Sequence, residues 1–168
     1  LILKVLLRNS LKFSIYNENI TPKKIPNNVA VVPMITPTKK NILVIDLAHG
    51  HSKYAGKTLD YLKETYPHVD VMAGNVATKD AAEYFLSKGA DAIKVGVGPG
   101  AMCTTRIMTG AGVPQLTALM DVYEAVKGEI PICADGGIKK PGEITKALGA
   151  GASTVMLGYL FAGTEESP

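Results

Sequence analysis

Beyond Asn41, short apolar segments alternate with longer segments in which apolar residues recur every three or four positions. Short segments that are almost continuously apolar are typical of strands buried on both faces of a parallel sheet. Strands that alternate with helices indicate βαβ units. The predicted strands are ILVID (42–46), VDVMAG (69–74), DAIKVG (91–96), IPICADGG (130–137) and STVMLG (153–158), and the predicted helices span 53–65, 78–89, 117–127 and 141–151.

Residues at the ends of the predicted helices support these limits. Asp80 and Pro141 lie where helix starts favour an acid or a proline. Gly89 and Gly151 lie where a glycine commonly follows the last helical turn, since glycine adopts the left-handed conformation at little cost. We therefore expect these helices to begin and end close to these residues.

Polar residues and glycines follow nearly every predicted strand. In a (β/α)8 barrel all the loops after the strands meet at one face, where the active site lies. A doubly wound sheet concentrates such residues at one switch point instead. Their spread along the chain predicts an α/β fold of the TIM-barrel type. The residues are Asp46, Gly74-Asn75, Gly96, Asp135-Gly136-Gly137 and Gly158.

The number of predicted units is too small for a closed barrel. About five βα units are clear, whereas the complete fold has eight. The segment NNVAVVP (27–33) predicts one more strand, but its link to Asn41 contains two prolines and no helical pattern. Because a parallel crossover usually needs a dozen residues or more, either this strand is not parallel to ILVID or a helix is missing. We expect an irregular N-terminal segment over 1–40, with a remnant of early barrel strands, and the C-terminal part of a barrel over 41–168.

Composition narrows the class of protein. The 168 residues suit about one domain, and 46% apolar with 20% charged residues indicates a globular chain. A net charge of +3 that is spread along the sequence does not favour nucleic acid as a partner. No apolar run approaches the roughly 20 residues that span a bilayer. Two cysteines do not make a disulfide framework, which fits a reducing compartment, so we expect a cytoplasmic protein with no membrane partner.

The segment GVGPGAMCTT (96–105) carries the strongest candidate chemistry. It nominally fits the dinucleotide-binding motif G-x-G-x-x-G/A, but that motif runs directly into a helix. The residues that follow, MCTTRIMTGAGVP, contain two more glycines and no helical period, so they predict a long loop. In this loop Cys103 is either a reactive thiol, activated by backbone N–H groups and by Arg106, or a small buried hydrophobe. Cys133, inside a predicted strand, is expected to be buried.

Two further glycine-rich turns are candidate ligand sites. Backbone amides after the last two strands form the common phosphate site of barrels, which places a candidate at residues 136–137 and at Gly158. Asp135 either binds ribose hydroxyls or caps its loop as an Asx-turn. His49 and His51 have the spacing of a metal pair, but no carboxylate or thiol motif joins them, and we predict no metal site there.

Seven motifs, in this order and spacing, resemble the catalytic barrel of the inosine-5′-monophosphate (IMP) dehydrogenases: DLAHGHS, AGNVAT, KVGVGPGAMCTTR, GVPQLTA, ADGGIK, KALGAGASTVMLG and AGTEESP. The similarity runs from about Asn41 to Pro168. It implies NAD-dependent oxidation of IMP to xanthosine 5′-monophosphate, a step of guanine nucleotide biosynthesis, through a covalent cysteine intermediate. The sister family, the NADPH-dependent GMP reductases, tends to have histidine at Thr164, and GVPQ is the dehydrogenase form. The resemblance therefore favours the dehydrogenase, with the reductase or a non-catalytic nucleotide-binding fragment as alternatives.

The resemblance also implies roles for individual residues. The implied catalytic residues are Cys103, which attacks C2 of the purine, and Thr105, which assists near the thiol. Asp135 binds the ribose and turn amides bind the 5′-phosphate, so the implied substrate-binding residues are Asp135, Gly136, Gly137, Gly158, Ala101 and Tyr159. On the nicotinamide side the implied residues are Asp46, His49, Asn75, Gly96 and Gly98. A potassium ion is held by the backbone carbonyls of Gly98, Gly100 and Cys103, and the family assembles as homotetramers.

The chain departs from the family pattern at the phosphate site and at its ends. The family usually has serine where Ala101 and Tyr159 stand, and both hydroxyls contact phosphate; each charge-assisted contact is worth about 1.5–3 kcal/mol. The same resemblance implies a mobile flap beyond Pro168, whose arginine activates water, and we expect the early barrel strands and the regulatory domain of the family to lie outside these 168 residues. We therefore expect no sustained NADH production by these 168 residues alone.

Overall fold

A computed structural model describes residues 4–7, 10–11, 30–35 and 41–165, with side chains from residue 42 onward. The strands are β1 (Lys4–Leu7), β2 (Ser10–Leu11), β3 (Ala30–Ile35), β4 (Asn41–Asp46), β5 (Asp70–Val76), β6 (Ala92–Val95), β7 (Ile132–Asp135) and β8 (Thr154–Leu157). The helices are α1 (Lys53–Thr65), α2 (Lys79–Ser87), α3 (Thr105–Thr109), α4 (Gln115–Val126) and α5 (Pro141–Gly149), and a 3-10 turn covers Tyr159–Phe161. None of the helices in these ranges is long and apolar enough to cross a membrane.

The described strands form one sheet in the order β2-β1-β8-β7-β6-β5-β4-β3. The five strands from β4 to β8 are parallel and lie side by side in chain order. Each is joined to the next by a crossover that contains a helix. This is the arrangement of successive units in a (β/α)8 barrel, so the predicted α/β class and the incomplete barrel are confirmed.

The strand predicted over 27–33 resolves the question left by its short link to β4. Its described part belongs to β3, which pairs antiparallel with β4, from Ala30 opposite Asp46 to Ile35 opposite Asn41. Residues 27–29 lie outside the described part of the chain. An antiparallel pair needs no crossover helix, so the first alternative is correct: the strand is not parallel to ILVID.

The predicted helix limits hold to within about two residues. Asp80 lies in the first turn of α2, and Pro141 is the first residue of α5. Gly89 and Gly151 follow the ends of α2 and α5 with φ of +77° and +107°. These values lie in the left-handed region that favours glycine, which is the physical reason for the predicted helix ends.

The loop predicted after Gly96 contains a short helix, and the prediction of an entirely irregular segment was wrong there. Helix α3 has five residues, none of them buried, so no apolar period marks it in the sequence. Local hydrogen bonding supports it instead: the Thr109 hydroxyl donates to the carbonyl of Thr105 over 2.6 Å. The helix ends at Gly110, whose φ is +70°.

The two faces of the parallel sheet carry different layers. One face packs against the helices and forms the main core, in which Leu59, Phe85 and Leu119 are fully buried. Side chains on the other face form a smaller apolar cluster of Val44, Met72, Cys133 and Met156. Because side chains alternate along a strand, the residues two positions after Val44, Ala92 and Cys133 lie on this second face, nearer the carboxyl ends of the strands. They are Asp46, Lys94 and Asp135, and they position the candidate site.

Candidate active site

A cleft of about 200 Å³ lies at the carboxyl ends of β5, β6 and β7. Ligand sites of barrels lie at this face of the sheet. The cleft brings together eight of the residues that the sequence singled out, although they come from three separate parts of the chain. Its lining is Ala48, Asn75, Gly96, Gly98, Pro99, Gly100, Cys103, Thr105, Asp135 and Gly136.

The loop that leaves β6 is held close to the end of β7. Gly96 has a φ of +148°, and a Cβ there would lie 2.1 Å from the carbonyl oxygen of Asp135. The Gln115 amide, at the start of α4, donates to the carbonyls of Val95 and Asp135 over 2.8 and 3.2 Å. Further along, the Arg106 guanidinium donates to the carbonyl of Val113. The loop is therefore fixed at both of its ends, and only glycine fits where it leaves the strand.

The Cys103 thiol is exposed at the edge of the cleft. Its Sγ lies 3.3 Å from the Thr105 hydroxyl oxygen. The pKa of Cys103 is lowered, first by hydrogen bonding from the Thr105 hydroxyl and backbone N–H, and also by the charge of Arg106. The interpretation of Cys103 as a buried hydrophobe is therefore wrong, and the thiol has the surroundings of a nucleophile.

Cys133 has the opposite environment. It is fully buried in β7, as predicted. Burial raises the pKa of its thiol to about 11. The chain therefore carries one accessible thiol with a lowered pKa and one inert thiol, and the second is an internal control for the first.

We expect iodoacetamide to label Cys103 much faster than Cys133 in the folded protein, because the thiolate is the reactive form and only Cys103 is exposed. The labelling rate should reach half its maximum below pH 9.0, the ordinary value. Thr105→Val should move that midpoint upward, since the thiolate loses a hydrogen-bond donor, while Thr105→Ser should not. Peptide mapping by mass spectrometry gives both rates. Equal labelling of the two cysteines would contradict the assignment.

A network of ion pairs and hydrogen bonds under the cleft joins four of the predicted binding residues. The Lys94 ammonium pairs with Asp46 Oδ1 at 2.9 Å and with Asp135 Oδ2. The Asn75 amide donates to Asp135 Oδ2 and to the carbonyl of Gly96, each over 2.8 Å. Both of these partners are acceptors, which fixes the orientation of the amide.

The charge of Lys94 is maintained by its two carboxylate partners. Burial alone lowers the pKa of a lysine, but Asp135 and Asp46 outweigh that effect and the pKa of Lys94 is raised. Lys94 is therefore an ammonium over the working range of pH. A lysine buried in this way would be strongly unfavourable without its partners.

Sequence reasoning missed Lys94 and Gln115. The sequence did contain a signal for Lys94, because a lysine in the middle of the apolar strand IKV is expected to be buried, and a buried lysine is almost always paired. Gly74 makes this position possible: a Cβ there would lie 2.6 Å from both Cβ and the carbonyl oxygen of Lys94. Gln115 lies in the motif GVPQ, but nothing local shows that its amide joins β6 to β7.

The loop DLAHGHS lies beside the network. Gly50 donates to the carbonyl of Asn75 over 2.7 Å, and a Cβ at Gly50 would lie 2.7 Å from the carbonyl carbon of Gly74. His49 is exposed in this loop and does not line the cleft. His51 packs against Tyr84, with the ring centroids 5.4 Å apart. The two histidines thus have different surroundings.

The predicted phosphate-binding residues divide into two groups. Gly136 and Gly137 have φ of +88° and +80°, and a Cβ on Gly136 would lie 3.0 Å from the Gly100 nitrogen. They therefore lie against the cysteine loop. Gly158 follows the neighbouring strand β8 and opens the 3-10 turn, whose first residue, Tyr159, is 56% exposed. Neither of these two lines the cleft, nor does the half-buried Ala101.

Two observations bear on the implied cofactor and cation. Asn75 Oδ1 is buried and accepts no hydrogen bond from the described residues, so it fits an amide donor such as a nicotinamide carboxamide. Across the described ranges, no three His, Cys, Asp or Glu side chains are grouped to hold a metal. A cation at this loop would therefore need backbone oxygens as ligands. One candidate, the Gly100 carbonyl oxygen, already accepts a hydrogen bond from the Cys103 N–H over 3.0 Å. Its second lone pair is compatible with a potassium ligand.

Comparison with known proteins defines the class to which this fold and site belong. The IMP dehydrogenase / GMP reductase domain matches residues 24–168. The chain is 57% identical over 129 residues to an inosine-5′-monophosphate dehydrogenase of Aquifex aeolicus, which covers 76% of this chain and 26% of that protein. It is 51% identical over 138 residues to the same enzyme of Bacillus subtilis, with 82% and 28% covered. The chain belongs to the IMP dehydrogenase / GMP reductase family of oxidoreductases.

A solved structure extends the comparison to the reductase branch. A crystal structure of a GMP reductase variant from Trypanosoma brucei superimposes with a TM-score of 0.73 at 47% identity. The match covers 76% of this chain and 29% of that one. The chain thus spans about a quarter to a third of the length of the relatives that it matches.

Proposed function

We propose that this chain carries the IMP-oxidising site of an NAD-dependent dehydrogenase. The observation that carries the proposal is the exposed Cys103 thiol, 3.3 Å from Thr105 at the edge of the cleft that also contains Asp135. The dehydrogenase relatives, 48–57% identical, support it further. In this proposal the reacting rings of the two nucleotides lie in the cleft.

The proposed reaction begins with attack of the Cys103 thiolate on C2 of the hypoxanthine ring, which forms a carbon–sulfur bond while the electron pair of the C2–N3 π bond moves onto N3. The two electrons and the hydrogen on C2 leave together as hydride, which the nicotinamide of NAD accepts when it is bound. Water then adds to C2 and the carbon–sulfur bond breaks, giving xanthosine 5′-monophosphate and the thiol, which loses one proton to return to the thiolate. Thr105 stabilises the thiolate before the attack.

The remaining residues bind and orient the two nucleotides in this proposal. Asp135 accepts hydrogen bonds from the ribose hydroxyls, and the amides of residues 136–137 and Gly158 bind the 5′-phosphate. Asp46, His49, Asn75, Gly96 and Gly98 lie on the nicotinamide side. The same proposal includes a potassium ion held by the backbone carbonyls of Gly98, Gly100 and Cys103, and assembly as a homotetramer.

The GMP reductase match favours one alternative function. A reductase would consume NADPH and release ammonia from GMP, whereas the dehydrogenase forms NADH from IMP. Absorbance at the reduced-nicotinamide band, measured with each pair of substrates, separates the two. NADPH consumption with GMP, and no NADH from IMP, would favour the reductase.

The phosphate contacts give a second test. We expect Ala101→Ser combined with Tyr159→Ser to tighten IMP binding about tenfold or more, about 1.4 kcal/mol, because each hydroxyl adds a contact to phosphate. Inosine, which lacks the phosphate, is the control and should bind both proteins equally. Calorimetry gives the dissociation constants, and an unchanged value for IMP would mean that the phosphate lies elsewhere.

A further inference from the structure

Lys94 lies between the two halves of the proposed site. Its side chain is 2% exposed, and its Nζ lies 4.0 Å from the Met156 sulfur. The ammonium contacts Asp135 on one side and Asp46 on the other. Asp135 belongs to the proposed ribose site and Asp46 to the proposed nicotinamide side, so a single buried cation touches one carboxylate from each.

The contacts of Asp135 leave one of its oxygens for a ligand. Lys94 and Asn75 both donate to Oδ2. Among the described residues no hydrogen bond to Oδ1 is present beside them. Two donors on one oxygen fix the plane of a carboxylate, and the second oxygen is then presented in a defined direction.

We propose that Lys94 is a positioning residue that fixes Asp135 for recognition of the ribose hydroxyls and couples this half of the site to Asp46. The inference rests on the proposed function, since it needs IMP as the ligand of Asp135. Lys94 itself touches neither nucleotide. Without Lys94, Asp135 keeps only the hydrogen bond from Asn75, and the carboxylates of Asp46 and Asp135 have no cation between them.

The first experiment compares IMP with 2′-deoxy-IMP, which lacks one ribose hydroxyl, by calorimetry. We expect the unaltered chain to prefer IMP about tenfold or more, the value of one charge-assisted hydrogen bond. Lys94→Met should weaken IMP binding about tenfold and reduce this preference to within about threefold, while Lys94→Arg, which keeps the charge, should restore both. A general loss of packing would weaken the two ligands equally and leave the preference unchanged, which would overturn the inference.

The second experiment tests the coupling through Asp46. Asp46→Asn should weaken IMP binding about threefold in the unaltered background, because the ammonium is no longer held from its other side, and should have no effect in Lys94→Met. Equal effects in both backgrounds would overturn the coupling. Asp46→Asn also tests the inference by itself if Lys94→Met does not fold. An unchanged dissociation constant for IMP in Asp46→Asn would then contradict the inference. If the unaltered chain does not bind IMP, the proposed function fails as well, whereas binding that is insensitive to Lys94 refutes only the role of Lys94.

Discussion

With IMP and NAD both in excess over this protein, we expect one burst of NADH equal in concentration to the Cys103 thiol, and its loss in Cys103→Ala. The carbon–sulfur bond to C2 creates the tetrahedral carbon from which hydride leaves, so no hydride transfer precedes it. Loss of a covalent nucleophile costs on the order of 10⁴-fold or more in rate. Stopped-flow absorbance measures the burst, and intact-protein mass spectrometry detects the bound purine nucleotide.

Cys133→Ala is the matched control for this experiment. Cys133 is buried in β7 and takes no part in the proposed chemistry. Its removal leaves a small cavity and should cost about 1 kcal/mol of stability, with the burst unchanged. A burst of equal size in Cys103→Ala would show that another group forms the intermediate.

We expect Gly96→Ala to lower the free energy of unfolding by about 3 kcal/mol, a large share of the roughly 5–15 kcal/mol of a typical domain. Two effects combine: a φ of +148° is strained for any residue with a side chain, and the new Cβ would lie 2.1 Å from the Asp135 carbonyl oxygen. Backbone strain of this kind costs about 1–3 kcal/mol, and overpacking a similar amount. Urea unfolding followed by circular dichroism gives the value.

Gly158→Ala provides the comparison, since this glycine also directly follows a parallel strand. Its φ is −103°, and no atom lies within 4 Å of the position of an added Cβ. We expect its stability to change by less than about 0.5 kcal/mol. If both variants were equally stable, β6 and β7 would not approach each other as closely at Gly96 as described.

Local pattern predicted most of the parallel sheet. The five strands and the four longer helices follow from apolar periodicity and from residues such as Pro141 and Gly151, because these signals depend on the immediate neighbours in the chain. The burial of Cys133 was predictable for the same reason, because it lies within an apolar strand, whereas the sequence left open whether Cys103 is buried or exposed.

Interactions between distant residues could not be predicted in this way. Asp46 and Asp135 were each assigned a separate role, and only the folded sheet shows that both contact Lys94. Helix α3 carries no apolar period, since none of its residues is buried. The direction of β3 was left open because a short link is compatible with more than one arrangement.

The sequential order of β4 to β8 has a consequence for how the chain assembles. Paired residues in neighbouring parallel strands are only 19 to 39 positions apart, as in Val76 with Val95 and Ile93 with Ile132. Strand β1 joins the opposite edge through Lys4 and Leu157, 153 positions apart. Since the entropy of loop closure grows with the logarithm of its length, this last pairing costs roughly 1–2 kcal/mol more than the others. We therefore expect the five parallel strands to pair before β1 docks, and β1 to detach first on unfolding.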